Sequence, residues 1–227
     1  MQRNISFAPG EFYHIYNRGT DKREIFLKER DYMRFQLLLY IANNTEAVRL
    51  DNFFNQIKQG RSLLKDGFML PRDNTLVDIG AYCLMPNHFH LLLHEKVDGG
   101  ISTFMKKLST AYSMYFNKRY ERTGALFEGR FKAQHADNNE YLKYLFAYIH
   151  LNPIKIIDPK WKENGISDKK AGLDYLEKYP FSSYIDYTQS TEREENSIIN
   201  QTPFPDYFEN LGTFEDFIRE WLAFEEV

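Results

Sequence analysis

The chain has 227 residues, a formal net charge of −3 and 43% hydrophobic residues, enough for one sizeable core. Its single cysteine, Cys83, excludes an intramolecular disulfide and fits a reducing compartment. Met1 to Ser6 lack the apolar segment of a signal peptide, and no apolar run approaches the ~18 residues a membrane helix needs. The expectation is a soluble cytoplasmic protein with no membrane partner.

Phe12 to Gly19 reads as a first strand ended by a glycine turn, with His14 a hydrogen-bonded, half-buried residue on it. Arg30 to Asn43 is helical, because Tyr32, Phe35, Leu38, Leu39 and Ile41 form a broad apolar stripe. Residues 44–75 are polar and irregular, with a helix expected over Asn52 to Leu64. Thr75 to Cys83 reads as a second strand. It pairs antiparallel, across the Met85-Pro86-Asn87 turn, with a buried strand running from His88 to His94. Gly99-Gly100 then breaks the chain, and Ser102 is placed to cap a helix through about Arg119. Thr123-Gly124 is a turn. Leu126 to Ala133 reads as a short strand or hairpin with Arg130 and Lys132 on one face. Asp137 to Glu140 caps a helix that runs to about Leu151, where Pro153 stops it. Thr188 to Ser197 reads as a polar linker. Phe214 to Phe224 reads as an amphipathic helix with Phe217, Ile218, Trp221 and Leu222 facing in. Helices alternating with antiparallel strands predict an α+β sandwich, helices packed on one face of a sheet. The division expected is residues 1–187 as one domain, then 188–227 as an acidic linker and C-terminal helix.

The chemistry concentrates in two of these elements. Side chains alternate along a strand, so His88 and His90 share a face while Phe89 and Leu91 take the other. Two residues span about 6.6 Å, so both imidazoles can reach one metal ion at about 2.1 Å. His94 sits about 13 Å from His90, too far for the same ion. A bare His-x-His fits ordinary polar residues on a half-buried strand. Between a Pro-Asn turn and a Leu-Leu-Leu run, however, packing gives an apolar strand no reason to carry two imidazoles. On the helix that follows, Tyr148 and Asn152 stand four residues apart and share a face, with Tyr141 and Tyr144 close to it. Spacing alone leaves Tyr148 a structural tyrosine.

Tyr82 to Leu92, with its Asn87-His88-Phe89-His90 core, resembles the His-hydrophobic-His motif of the single-tyrosine HUH transposases, in particular the REP-associated tyrosine transposases and their larger bacterial relatives. Similar stretches stand in the family's order at Tyr13 to Gly19, Phe127 to Lys132, Tyr148 to Pro153 and Phe181 to Tyr184. The resemblance implies a ferredoxin-like antiparallel sheet with a metal site on its open face. It implies Tyr148 as the nucleophile and His88, His90 and Asn152 as metal ligands; other family members carry Gln where Asn152 stands. The implied reaction is cleavage and rejoining of single-stranded, hairpin DNA through a covalent 5′-phosphotyrosine. Mixed N/O ligation suits Mg²⁺ or Mn²⁺, and two imidazoles also suit zinc. Related small transposases form dimers that share active sites, while REP-associated ones can act as monomers, so the resemblance implies a homodimer as one of two states open to this chain.

Charge is unevenly spread. Residues 100–135 carry Lys106, Lys107, Lys118, Arg119, Arg122, Arg130 and Lys132 against Glu121 and Glu128. Residues 186–227 carry eleven acids against Arg193 and Arg219. A basic middle beside an acidic tail fits a nucleic-acid groove or a solvated helix face. Lys106, Lys107, Arg119, Arg130 and Lys132 are the candidate DNA contacts, Arg130 and Lys132 foremost, and bound DNA would place the protein on the nucleoid. Two alternatives compete with the transposase. One is a single-stranded-DNA-binding protein of the same fold without turnover. The other is a zinc hydrolase using His88, His90 and His135 or His150, for which no acid has motif-grade placement as general base.

Overall fold

The computed structural model describes residues 5–46, 66–72, 74–188, 193–205 and 214–223. The helix expected over Asn52 to Leu64 lies outside them. Strand β1 (Phe12–Arg18) leads into helix α1 (Glu29–Ile41), then strands β2 (Val77–Met85) and β3 (His88–Glu95). Helix α2 (Gly100–Arg119) and strand β4 (Lys132–His135) complete a β-α-β-β-α-β order. The sheet runs β2-β3-β1-β4 with every neighbouring pair antiparallel, which is the ferredoxin-like arrangement expected.

One face is closed by α1 and α2. Tyr13, Ile15, Tyr82, Leu84, Phe89, Leu91 and Leu93 from the strands meet Phe35, Leu38, Phe104, Leu108 and Tyr112 in one buried cluster. Phe35 packs edge-on against Tyr112, with ring centroids 4.9 Å apart. Helix α2 starts two residues earlier than its expected cap. Gly99 precedes it with φ +68°, and the buried Glu95 carboxylate accepts from the Ile101 amide at 2.7 Å. A carboxylate arriving from a neighbouring strand thus does the work assigned to Ser102.

The opposite face is not left open. Helix α3 (Asn139–Leu151) lies over β2 and β3 on Ala81, Cys83, Met85 and Leu92, with Leu142, Leu145, Phe146 and Ile149 facing down. Asn138 caps it, its Oδ1 accepting from the Tyr141 amide at 2.8 Å. Short helices α4 (Ile154–Ile157), α5 (Trp161–Asn164), α6 (Lys169–Leu176) and α7 (Tyr184–Thr188) follow, and α8 (Phe214–Ala223) packs Phe214, Phe217 and Ile218 into the same cluster. Trp221 is partly buried there as expected; the Leu222 side chain lies outside the described residues.

Three local expectations are corrected. Leu126 to Ala133 is not one strand: Phe127 makes a single bridge to Gly19, and regular pairing begins at Lys132. Asn152, directly before Pro153, keeps a helical φ/ψ of −54°/−37°, and the chain turns on into α4. The prolyl ring therefore starts a new turn instead of ending the helical path. Thr188 to Ser197 is no simple linker: Arg193 forms a two-pronged ion pair with Asp186 and donates to Tyr82 Oη at 3.0 Å. Residues Glu194–Ile198 then form a 3₁₀ turn that buries Ile198. Gly80 stands at a register shift in β2, where a Cβ would stand 2.5 Å from the Phe204 ring, so glycine is required for that close approach.

Candidate active site

The strand alternation sends His14 and Tyr16 of β1, His88 and His90 of β3, and Lys132 of β4 to the α3 side of the sheet. Tyr16, His88, His90 and Lys132 line a cleft of about 750 Å³ with Arg18, Lys22, Pro86, Asn87, Tyr148 and Lys155. The rings of His88 and His90 lie 5.0 Å apart at 88°. His88 Nδ1 stands 2.6 Å from Asn87 Oδ1, and His90 Nδ1 stands 2.8 Å from His14 Nε2. Each Nδ1 is thereby occupied, so each Nε2 is the nitrogen left for a ligand.

Burial, aided by Lys155 and Lys162, pushes His88 down to about 4, and burial with Lys162 does the same to His14. His90 is depressed well below its usual value by burial first, then by His14 and His88. All three imidazoles are therefore neutral at physiological pH, with lone pairs available. The Asn152 side chain hydrogen-bonds His88 in the direction that favours the imidazolium, and its Nδ2 donates to Tyr148 O at 3.1 Å. Two neutral imidazoles and an amide are a donor set fit for a divalent ion. Among the described residues, no three His, Cys, Asp or Glu side chains converge on a metal position. A metal here needs the amide or solvent as its further ligand.

Helix α3 delivers Tyr148 to this cleft. Its ring centroid is 5.4 Å from that of His90 and 5.9 Å from that of His14, both edge-on. Tyr144 stacks behind it at 5.8 Å, and Tyr141 stacks on Tyr144 at 6.0 Å. The register of α3 is held from its other side. His150 donates from Nδ1 to the Phe146 carbonyl at 2.9 Å and pairs through Nε2 with Ser183 Oγ at 2.7 Å. Ser183 in turn bonds the β2 backbone at Tyr82, and Phe181 O accepts from the Leu84 amide. The Phe181 to Tyr184 stretch thus ties the helix to the sheet edge.

Sequence reasoning placed His88, His90, Tyr148 and Asn152 in one site, and the structure brings all four together. The five basic candidates scatter. Lys132 enters the cleft, its Nζ 6.0 Å from the Tyr16 ring centre. Arg130 lies in a different groove with Lys106, so Arg130 and Lys132 do not share a face. Lys107 is spent on the carbonyls of Asn44, Thr45 and Glu46 beyond the end of α1. Arg119 stands against Asp31 at 3.9 Å and over Tyr120. Neither His135 nor His150 reaches the histidine pair: His135 bonds Glu11 at 2.8 Å and His150 is fully buried under α7. That removes the third ligand of the zinc-hydrolase reading. Sequence reasoning missed Lys22, Lys155 and Lys162. Lys155 lies just past the Tyr148 to Pro153 stretch and could have been found by continuing the helix through the proline.

Residues 71–152 match the family described as "Transposase IS200 like". The match spans 82 of the chain's 227 residues, and it is to that family that this segment is similar. It holds His88, His90, Tyr148 and Asn152. No curated protein matches the chain. Among solved structures, a REP-associated tyrosine transposase bound to a REP hairpin is 12% identical, covers 86% of this chain and 89% of its own, and superposes with a TM-score of 0.46. The tRNA(His) guanylyltransferase of Saccharomyces cerevisiae is 9% identical, covers 92% of this chain and 84% of its own, with a TM-score of 0.36. No helix among the described residues is long and apolar enough to cross a membrane.

Proposed function

We propose that this transposase cleaves and rejoins single-stranded, hairpin-forming DNA through a covalent bond between Tyr148 and a 5′-phosphate. The observation that carries the reading is the approach of the Tyr148 ring to within 5.4 Å of the His90 ring inside a cleft rimmed by lysines. His88, His90 and Asn152 would hold the ion, Mg²⁺ or Mn²⁺. When bound, it would withdraw charge from the scissile phosphate and so lower the barrier to attack.

The chain's own residues account for the rest. Asn87 and His14 fix the ring orientations of the two histidines from behind. Helix α3 holds Tyr148 at the cleft wall beside the histidines, converting attack into a local encounter. Lys22, Lys132 and Lys155 supply a positive rim for the phosphate backbone. Tyr148 Oη forms a bond to phosphorus, the P–O3′ bond breaks, and the phenolic proton passes to the departing 3′ oxygen. Rejoining reverses these steps. One chain supplies both halves of the site, which supports action as a monomer.

The test is incubation of the purified protein with labelled single-stranded hairpins from its gene's flanks and Mn²⁺. A denaturant-stable protein–DNA adduct that disappears with chelator is expected. Binding without adduct under any divalent ion would favour the non-catalytic DNA-binding alternative.

A further inference from the structure

Lys162 lies outside the segment that matches the transposase family, yet its Nζ stands 3.8 Å from the centre of the Tyr148 ring. An ammonium at that distance over an aromatic face is held by the ring's electron density. Lys162 is exposed, and its backbone is anchored from its neighbour. The preceding Trp161 packs into the cluster beneath α3, which anchors the short helix α5 that carries Lys162. The Lys162 charge also bears on His14, His88 and His90, so it lies close enough to act on the whole centre. The catalytic proposal above uses Tyr148 and the cleft rim but assigns Lys162 nothing.

We propose that Lys162 is the positioning residue of the nucleophile, holding the Tyr148 ring against His90 and supporting the negative charge on the phenolic oxygen during bond exchange. This rests on the strand-transfer reading of the site. As Tyr148 Oη attacks and surrenders its proton to the leaving 3′ oxygen, charge builds on the phenol. It builds again when the phenol departs on rejoining. A fixed cation at the ring face stabilises both moments without touching the phosphate, and its ring contact limits the rotamers the phenol samples.

The experiment compares wild type, Lys162→Met and Lys162→Arg in single-turnover adduct formation on a labelled single-stranded hairpin with Mn²⁺, alongside equilibrium binding of the same DNA. Methionine keeps the length and apolar stem without the charge. The adduct rate at saturating DNA should fall about tenfold in Lys162→Met, the scale of one such contact, with DNA affinity within about twofold of wild type. Lys162→Arg should recover most of the rate, because guanidinium also binds an aromatic face. A Lys162→Met protein as fast as wild type would overturn the proposal. So would a loss seen only in affinity, which would make Lys162 one more rim cation. An inactive wild type would sink the strand-transfer reading itself, and this inference with it.

Discussion

His14 Nε2 on β1 and His90 Nδ1 on β3 stand 2.8 Å apart, so two buried imidazoles share one proton beside the Tyr148 ring. Both are neutral, because burial penalises their charged forms. The proton between them decides which His90 nitrogen is free, and His14 keeps that nitrogen facing the cleft.

His14→Ala should therefore weaken divalent-ion affinity about tenfold to a hundredfold, the range for losing a partner that orients a ligand. His14→Gln, which keeps a hydrogen-bonding group near Nδ1, should lose less. Titration of Mn²⁺ against adduct yield measures both. Equal metal dependence in wild type and His14→Ala would reduce the histidine pair to packing.

The ligands themselves make a stronger case. His88→Ala or His90→Ala should abolish strand cleavage while circular dichroism stays native. His88 is only half-buried, and His90 lies at the cleft wall, not in the apolar clusters. Nicking by wild type that resists chelator would remove the ion from the mechanism.

Much of this was legible because it is local. The Asn87 to Leu92 run, the Tyr148/Asn152 spacing and the Asn138 cap are each written within a few residues, and strand alternation or helical period then fixes their faces. What was not legible depends on partners outside the element concerned. The Glu95 carboxylate that starts α2 and the Asp186 that holds Arg193 come from other elements. Lys162 reaches Tyr148 only because the chain folds back through α4 and α5, and nothing in the sequence between Pro153 and Trp161 states that path. The basic residues misled for the same reason: charge counting cannot tell Lys132, in the cleft, from Lys107, bound to carbonyls.

That sorting of cations predicts their effects on DNA. Lys132→Ala should weaken single-stranded DNA binding and lower the salt slope by about one, as expected for one lost phosphate contact. Lys107→Ala should leave affinity unchanged and lower the melting temperature, because its ammonium ties α2 to the residues that follow α1. Fluorescence anisotropy across a salt series, with thermal melts of both variants, checks the pair. A salt-slope change in Lys107→Ala equal to that of Lys132→Ala would refute the assignment.

His150 offers a pH test of the fold. It is fully buried and pushed down to about 3 by that burial, against about 6.5 in an unfolded chain. Between these values the unfolded form binds the extra proton, so acid drains stability. The contribution is complete above about pH 6.5 and shrinks as pH falls toward 3, at up to ~1.4 kcal/mol per pH unit. His150→Gln removes this titration and should flatten the dependence of the urea midpoint on pH between 6.5 and 4, while costing stability at pH 7 through the lost Ser183 contact. A variant with the wild-type pH slope would show that His150 already protonates in the folded chain.

The nucleophile is the most direct test, because three tyrosines stack along α3 and only one reaches the histidines. Tyr148 lies edge-on to both His14 and His90, whereas Tyr144 is partly exposed behind it and Tyr141 donates to Gln134 at 3.3 Å. Tyr148→Phe removes one oxygen and keeps the ring, so its contacts with His90, Tyr144 and Lys162 should survive. DNA affinity should be unchanged, and both nicking and the covalent adduct should vanish. Tyr144→Phe and Tyr141→Phe should still form adduct at rates within about threefold of wild type, since surface substitutions away from such features change energies by roughly half a kcal/mol. Peptide mapping of the wild-type adduct should find the nucleotide on Tyr148. If the adduct persisted in Tyr148→Phe and disappeared in Tyr144→Phe, the helix would have to turn by about forty degrees and slide by about 6 Å to serve the chemistry. If no tyrosine substitution mattered, attack on phosphorus would have to come from water, and the cleft would be that of a nuclease.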